Sequence, residues 1–120
     1  MSKARSNKNK GRKAQQEVRD LLLEAFPELE KDDIRSTSMG CGGEDLQLSP
    51  AARKILPFNI EIKHKQSIAA CRFMEQAQEH GQHEPVAIFR EDRGPWYVCV
   101  SIDYFLEAVR RAYELRSKTP

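Results

Sequence analysis

The 120-residue chain has no long apolar run and little cysteine. No stretch approaches the roughly 20 consecutive apolar residues that a membrane helix needs. The N-terminus is basic but lacks the hydrophobic segment that marks a secretory signal. The sequence therefore predicts a cytoplasmic protein with no membrane partner. It also has no internal repeat and no linker, so its length predicts a single domain around one core.

The three cysteines, Cys41, Cys71 and Cys99, are an odd number and include no close pair. This spacing argues against a disulfide framework and against a Cys-x-x-Cys zinc site. We expect all three to be reduced. Cys71 is predicted to pack within a helix and Cys99 within a strand, whereas Cys41 is predicted to be accessible in a glycine-rich loop.

Charge is distributed unevenly along the chain. The net charge is +2, but residues 1–13 carry six basic residues and no acid, which leaves 14 basic and 18 acidic residues in the remainder. We therefore predict a basic, flexible N-terminal arm over residues 1–13 and a folded domain over residues 14–120. A basic arm on a near-neutral body indicates a polyanionic partner, most commonly nucleic acid. A solubilising tail remains equally open.

The apolar periodicity predicts a mixed order of elements. A helix is expected from about Lys10 to Phe26, where Pro27 ends the pattern; Glu17 borders its apolar stripe. Short strands are expected at residues 34–38 and 45–48, on either side of the loop that contains Gly40, Gly42 and Gly43. Later helices are predicted to begin at caps formed by Ser49, Ser67 and Ser101, and two further strands fall at residues 85–90 and 95–100.

A third strand is predicted at Asn59–Lys63, where apolar and polar residues alternate strictly. Ile60 and Ile62 then point into a core, and Glu61 and Lys63 share the opposite face. The predicted order is α-β-β-β-α-β-β-α, an α/β (α+β) domain with a central mixed sheet flanked by helices. Asp45 opens the preceding strand, so Asp45 and Glu61 together can hold a divalent metal and Lys63 can contact its bound water or phosphate.

This ordered set of residues resembles the PD-(D/E)XK nuclease superfamily. The resemblance rests on Glu17, Asp45, the Glu61–Lys63 strand and a glutamine-bearing helix behind it. The stretch from Arg35 to Leu46 resembles archaeal Holliday-junction resolvases. The stretch from Gly43 to Arg53, with Pro57 and Glu61–Lys63, is closer to small phage and prophage nucleases. The chain departs from the pattern in having Glu44, not proline, before Asp45.

The resemblance implies a restriction-endonuclease-like core and a magnesium- or manganese-dependent endodeoxyribonuclease. Asp45, Glu61 and Glu17 would ligate the metal, and Lys63 would act at the water or the scissile phosphate. Gln76 would sit near Lys63, with Gln78 as the second choice. The residues that we expect to contact DNA are Lys8, Lys10, Arg12, Lys13, Arg35, Ser38, His64 and Lys65.

The expected partner is duplex or branched DNA, bound with structure-guided or low sequence specificity because no base-reading motif is present. If the chain is phage-encoded, its location is the bacterial host cell. A Holliday-junction resolvase is one form of this activity, and it requires two sites in a twofold dimer. Trp96, Tyr97 and the final helix supply surface for such a homodimer, although all could equally belong to the core.

The sequence leaves two alternative functions open. A non-catalytic nucleic-acid-binding module with the same fold would explain the basic arm but not the combination of Asp45, Glu61 and Lys63. A zinc site built from Cys41, His64 and Cys71 with His80 or His83 matches no closed zinc spacing. Divalent-metal-dependent cleavage separates the nuclease from the binding module.

Overall fold

The structure, a computed structural model, describes residues 3–37 and 45–118, with side chains from Lys8 onward. In this part of the chain a short 3-10 helix (Lys31–Asp33) accompanies helices and strands in mixed order. Their bounds are α1 (Lys3–Ala25), β1 (Ile34–Ser36), β2 (Leu46–Leu48), α2 (Pro50–Ile55), α3 (Ala69–Glu79), β3 (Ala87–Phe89), β4 (Tyr97–Cys99) and α4 (Ile102–Lys118).

The chain divides into two compact units. The first unit comprises Met1–His64 and Val109–Pro120, and the second comprises Lys65–Ala108. The predicted mixture of helices and strands is confirmed. In place of one central mixed sheet, the described residues form two separate two-stranded antiparallel sheets, β1 with β2 and β3 with β4.

The core of the first unit lies where α1 packs against β1. The two strands pair with Ile34 opposite Leu48 and Ser36 opposite Leu46. Four large apolar side chains are almost fully buried, and burying each contributes about 1.5–3 kcal/mol. They are Phe26, Ile34, Leu46 and Leu56.

Within the first unit, Arg110 joins the C-terminal part of α4 to the segment that follows α1. Its guanidinium donates to both carboxylate oxygens of Glu28 at 2.7 and 2.6 Å and to Oε1 of Glu114 at 3.1 Å. It also lies 5.8 Å from the centre of the Phe26 ring. The hydrogen bond from Arg110 lowers the pKa of Glu28 below its ordinary value of 4.5, so this pair stays ionised at neutral pH.

The second unit is a β-hairpin with a helix on one face. Ala87 pairs with Cys99, and Phe89 pairs with Tyr97, which confirms the two predicted late strands. Helix α3 contacts β3, and the ring centres of Phe73 and Phe89 lie 5.9 Å apart. Gly81, with φ of 148°, follows the end of α3, in agreement with its predicted role as a helix stop.

The predicted third strand does not form, but the predicted alternation of buried and exposed side chains is present. Residues 56–68 are neither helix nor strand, yet Ile60 and Ile62 are half-buried while Glu61 and Lys63 are exposed. Asp45 N–H donates to the Ile60 carbonyl at 3.1 Å. The Ile62 N–H donates to the Asp45 side chain, so the segment is bonded to Asp45 at two points without forming a strand.

Two helix starts differ from the sequence prediction. Helix α1 begins at Lys3, within the stretch predicted as a flexible arm and seven residues before the predicted helix start near Lys10; lysine, arginine and alanine in this stretch favour helix, and it contains no proline. Helix α3 has Ile68 at its N-cap with no side-chain hydrogen bond, so Ser67 is not its cap. The predicted caps at Ser49 and Ser101 are confirmed by hydrogen bonds that their hydroxyls accept, from Ala52 N and Tyr104 N respectively.

One cysteine that was predicted to pack is exposed. Cys71 lies on α3 as expected but faces solvent, whereas Cys99 on β4 is half-buried, and both are free thiols. On α4 the buried side includes Leu106 and Val109, while Phe105 is 40% exposed. The predicted glycine loop, with Cys41 and Ser38, lies outside the described residues.

Within the described residues, no helix combines the length and apolar character needed to cross a membrane.

The Ser49 cap yields a stability prediction. Its hydroxyl donates to Oδ1 of Asp33 at 2.6 Å and accepts from Ala52 N at 3.1 Å. Ser49→Ala removes both bonds and is expected to lower the free energy of unfolding by about 1–2 kcal/mol, measured by urea denaturation. Ser67→Ala is the matched control, and we expect it to change stability by less than about 0.5 kcal/mol. Equal effects of the two substitutions would contradict the assignment.

Candidate active site

Asp45 is fixed by its backbone on two sides. Its carbonyl accepts from Thr37 N at 2.9 Å, which extends the β1–β2 pairing by one residue. Its N–H donates to the Ile60 carbonyl at 3.1 Å on the other side. Asp45 therefore joins the β1–β2 hairpin to the segment that carries Glu61 and Lys63.

The Asp45 carboxylate makes a third connection. Its Oδ2 accepts from the Ile62 N–H at 2.5 Å. Since Ile62 lies between Glu61 and Lys63, this bond holds the carboxylate beside both of those residues.

Lys63 completes the cluster. Its Nζ lies 3.0 Å from Oε1 of Glu61. The hydrogen bond with Glu61 and the negative charge of Glu61 raise the pKa of Lys63 above its ordinary value of 10.5, and the charge of Asp45 raises it further. We call Asp45, Glu61 and Lys63 the acidic-lysine cluster. It brings together the three residues that the sequence singled out for chemistry.

The cluster is open to solvent. The side chains of Lys63 and Glu61 are 62% and 69% exposed, so their ion pair is screened by water and contributes little to folding. The small contribution of this ion pair to the stability of the folded chain is present below pH 10.5. It is lost as the pH rises through the pKa of Lys63 in the folded chain, which lies above 10.5. At neutral pH the lysine is therefore a cation and a hydrogen-bond donor.

The donor atoms of the cluster suit a hard cation. Two carboxylates supply only oxygen ligands, which magnesium and manganese prefer. No group of three or more histidine, cysteine, aspartate or glutamate side chains able to hold a metal forms among the described residues. Glu17 is exposed on α1, and its metal role stays a prediction.

The predicted glutamines belong to the second unit. Gln76 and Gln78 are both exposed on α3, and the role of Gln76 beside Lys63 stays a prediction. His80 and His83 are exposed in the same unit, and His64 is exposed in the first unit.

The predicted DNA-contacting residues are largely accessible. Lys10 is half-buried on α1, and Ser38 lies outside the described residues. Arg35 on β1 is exposed, with its guanidinium 3.8 Å from Asp32. The other exposed cations are Lys8, Arg12, Lys13, His64 and Lys65.

A buried polar pair beside the cluster was not predicted. Gln15 on α1 is buried, and its side-chain oxygen accepts from the Ser36 hydroxyl at 2.7 Å. This bond ties α1 to the residue before Thr37, whose N–H holds the Asp45 carbonyl. The only signal in the sequence is that Gln15 interrupts the apolar stripe between Ala14 and Val18.

Comparison with protein-family models, with curated proteins and with solved structures finds no match for the chain.

The electrostatics of the cluster can be tested directly. Glu61→Gln is expected to lower the pKa of Lys63, because it removes both the charge and the charged hydrogen-bond acceptor. Asp45→Asn is expected to lower it less, because Asp45 acts only through its charge. A pH titration of the Lys63 side chain by NMR measures both effects, with Lys65 as the internal reference. A pKa of Lys63 that neither substitution changes would rule out this coupling.

Proposed function

We propose that the chain is a metal-dependent DNA endonuclease of the PD-(D/E)XK type. The proposal rests on the two hydrogen bonds that join Asp45 to Ile60 and Ile62, which bring its half-buried carboxylate beside the exposed Glu61–Lys63 ion pair. A restriction-endonuclease-like core is part of the proposal, with β1, β2 and the Asn59–Lys63 segment as its central layer. The reaction is hydrolysis of a phosphodiester bond.

The charge of each residue in the cluster determines its proposed role. Asp45 and Glu61 would hold Mg²⁺ or Mn²⁺ through their carboxylate oxygens, with Glu17 as a further ligand. The bound ion would polarise the phosphoryl oxygen and lower the pKa of a coordinated water. Lys63, which its neighbours keep protonated, cannot serve as the general base at neutral pH. It would donate hydrogen bonds to the scissile phosphate and offset the charge that develops there, with Gln76 helping to position it.

In this proposal the basic N-terminal part of α1 binds DNA. Lys8, Lys10, Arg12 and Lys13 lie within two turns of one helix. Arg35, Ser38, His64 and Lys65 are the further proposed contacts. Such contacts with phosphates position DNA without reading its sequence, so we propose structure-guided or low sequence specificity. A Holliday-junction resolvase would be the dimeric form of this activity.

The chemical assignment predicts three inactive variants. Asp45→Asn and Glu61→Gln remove metal-binding charge at nearly constant shape, and Lys63→Ala removes the cation. Each is expected to reduce the rate of DNA cleavage at least about a hundredfold. The assay uses linear duplex, single-stranded, nicked and four-way DNA, with magnesium or with chelator.

Exposed residues outside the cluster provide the controls. Glu24→Gln and Lys54→Ala make the same kinds of change at exposed positions and should leave cleavage unchanged. Wild-type rates in the three cluster variants would refute the active site. DNA binding without metal-dependent cleavage by the wild type would favour the non-catalytic module instead.

The proposed binding of DNA by α1 predicts that removing its cations changes the salt dependence of DNA affinity. Replacing Lys8, Lys10, Arg12 and Lys13 with glutamine keeps helix propensity but removes four cations. If all four contact phosphates, the slope of log affinity against log salt should flatten by up to about four units, at about 0.9 per contact on duplex DNA. Fluorescence anisotropy across a salt series measures the slope. An unchanged slope would mean that these cations only solubilise the chain.

A further inference from the structure

One face of the β3–β4 hairpin presents apolar side chains to solvent. From Glu84 to Arg90 the side chains alternate between exposed and at least half-buried, so this strand has an outward row and an inward row. The inward row includes Ala87 and Phe89, and Phe89 packs against Phe73 of α3. The outward row reads, in order, Glu84, Val86, Ile88 and Arg90.

The neighbouring strand extends this face. Val98 pairs directly with Ile88, and the two side chains are 62% and 64% exposed. Trp96 is 62% exposed, and the Arg90 guanidinium lies 4.6 Å from the centre of its ring. We call Glu84, Val86, Ile88, Arg90, Trp96 and Val98 the hairpin face.

The order of charges along the outward row indicates what could cover it. One end is acidic, the middle is apolar and the other end is basic. A twofold axis through the middle reverses this order, so that Glu84 of one copy meets Arg90 of the other and Val86 meets Ile88. Isologous interfaces require self-complementarity of this kind. A polyanion suits the face less well, because residues 65–108 carry four basic and seven acidic residues.

We propose that the hairpin face is a twofold interface between two copies of this chain. Its four apolar side chains expose on the order of 300 Å² per copy. This is less than the roughly 800 Å² per partner of a standard stable interface, so the dimer should be weak, with a dissociation constant in the micromolar range or above. The stacked Trp96 and Arg90 provide an ordered anchor at the end of the face. The inference does not depend on the proposed nuclease activity.

Charge reversal tests the pairing in the full chain. Sedimentation equilibrium from about 10 μM to about 1 mM covers the expected range. Glu84→Arg and Arg90→Glu each place like charges opposite one another twice in a homodimer, and each should weaken it about tenfold or more. An equimolar mixture of the two variants should restore association, because every facing pair in the mixed dimer is then of opposite charge.

Other substitutions separate the interface from effects on folding and on net charge. Glu79→Arg and Arg72→Glu make the same charge changes at exposed positions on α3 and should leave the dissociation constant unchanged. Ile88→Ser removes an exposed apolar contact without touching a charge and should also weaken the dimer. A wild type that stays monomeric at about 1 mM, or a mixture that associates no better than its components, would overturn the proposal.

Discussion

The arrangement of the candidate site depends on Asp45, which is bonded in three directions. Its carbonyl accepts from Thr37, its N–H donates to Ile60 and its carboxylate accepts from Ile62. The bonds to Ile60 and Ile62 tie the segment carrying Glu61 and Lys63 to the end of the β1–β2 hairpin. One residue thus connects the two pieces of backbone and would also supply part of the proposed chemistry.

The hydrogen bonds of the Asn59–Lys63 segment are not those of a regular strand. The Ile62 N–H is donated to the Asp45 carboxylate, whereas strand pairing would donate it to a backbone carbonyl. This bond gives the carboxylate a fixed orientation, which is the kind of support that the proposed catalytic role would need.

Local pattern predicted much of the backbone but few of the long-range contacts. The alternation of Asn59–Lys63 correctly identified which side chains are exposed, yet it could not reveal whether a partner strand would bond to that segment. Ser49 and Ser67 looked alike as helix caps, but Asp33 orients only the Ser49 hydroxyl. The bond between Arg110 and Glu28 joins residues 82 positions apart, and no periodicity encodes such a pair. The neighbourhood of Asp45 and Glu61 was predicted from the order of two adjacent strands and from a family resemblance, but neither revealed the hydrogen bonds that hold it.

The two compact units differ in charge as well as in content. The first carries 16 basic and 11 acidic residues and contains the acidic-lysine cluster and the basic helix α1; the second carries four basic and seven acidic residues and contains the hairpin face. An excess of positive charge favours contact with phosphates, whereas an acidic unit with an apolar face is better suited to protein association. Because the proposed cluster and the proposed interface share no residue, a twofold dimer would supply two active sites without altering either one. Association would then change which DNA shapes are cut, and the chemistry at each cluster would stay the same.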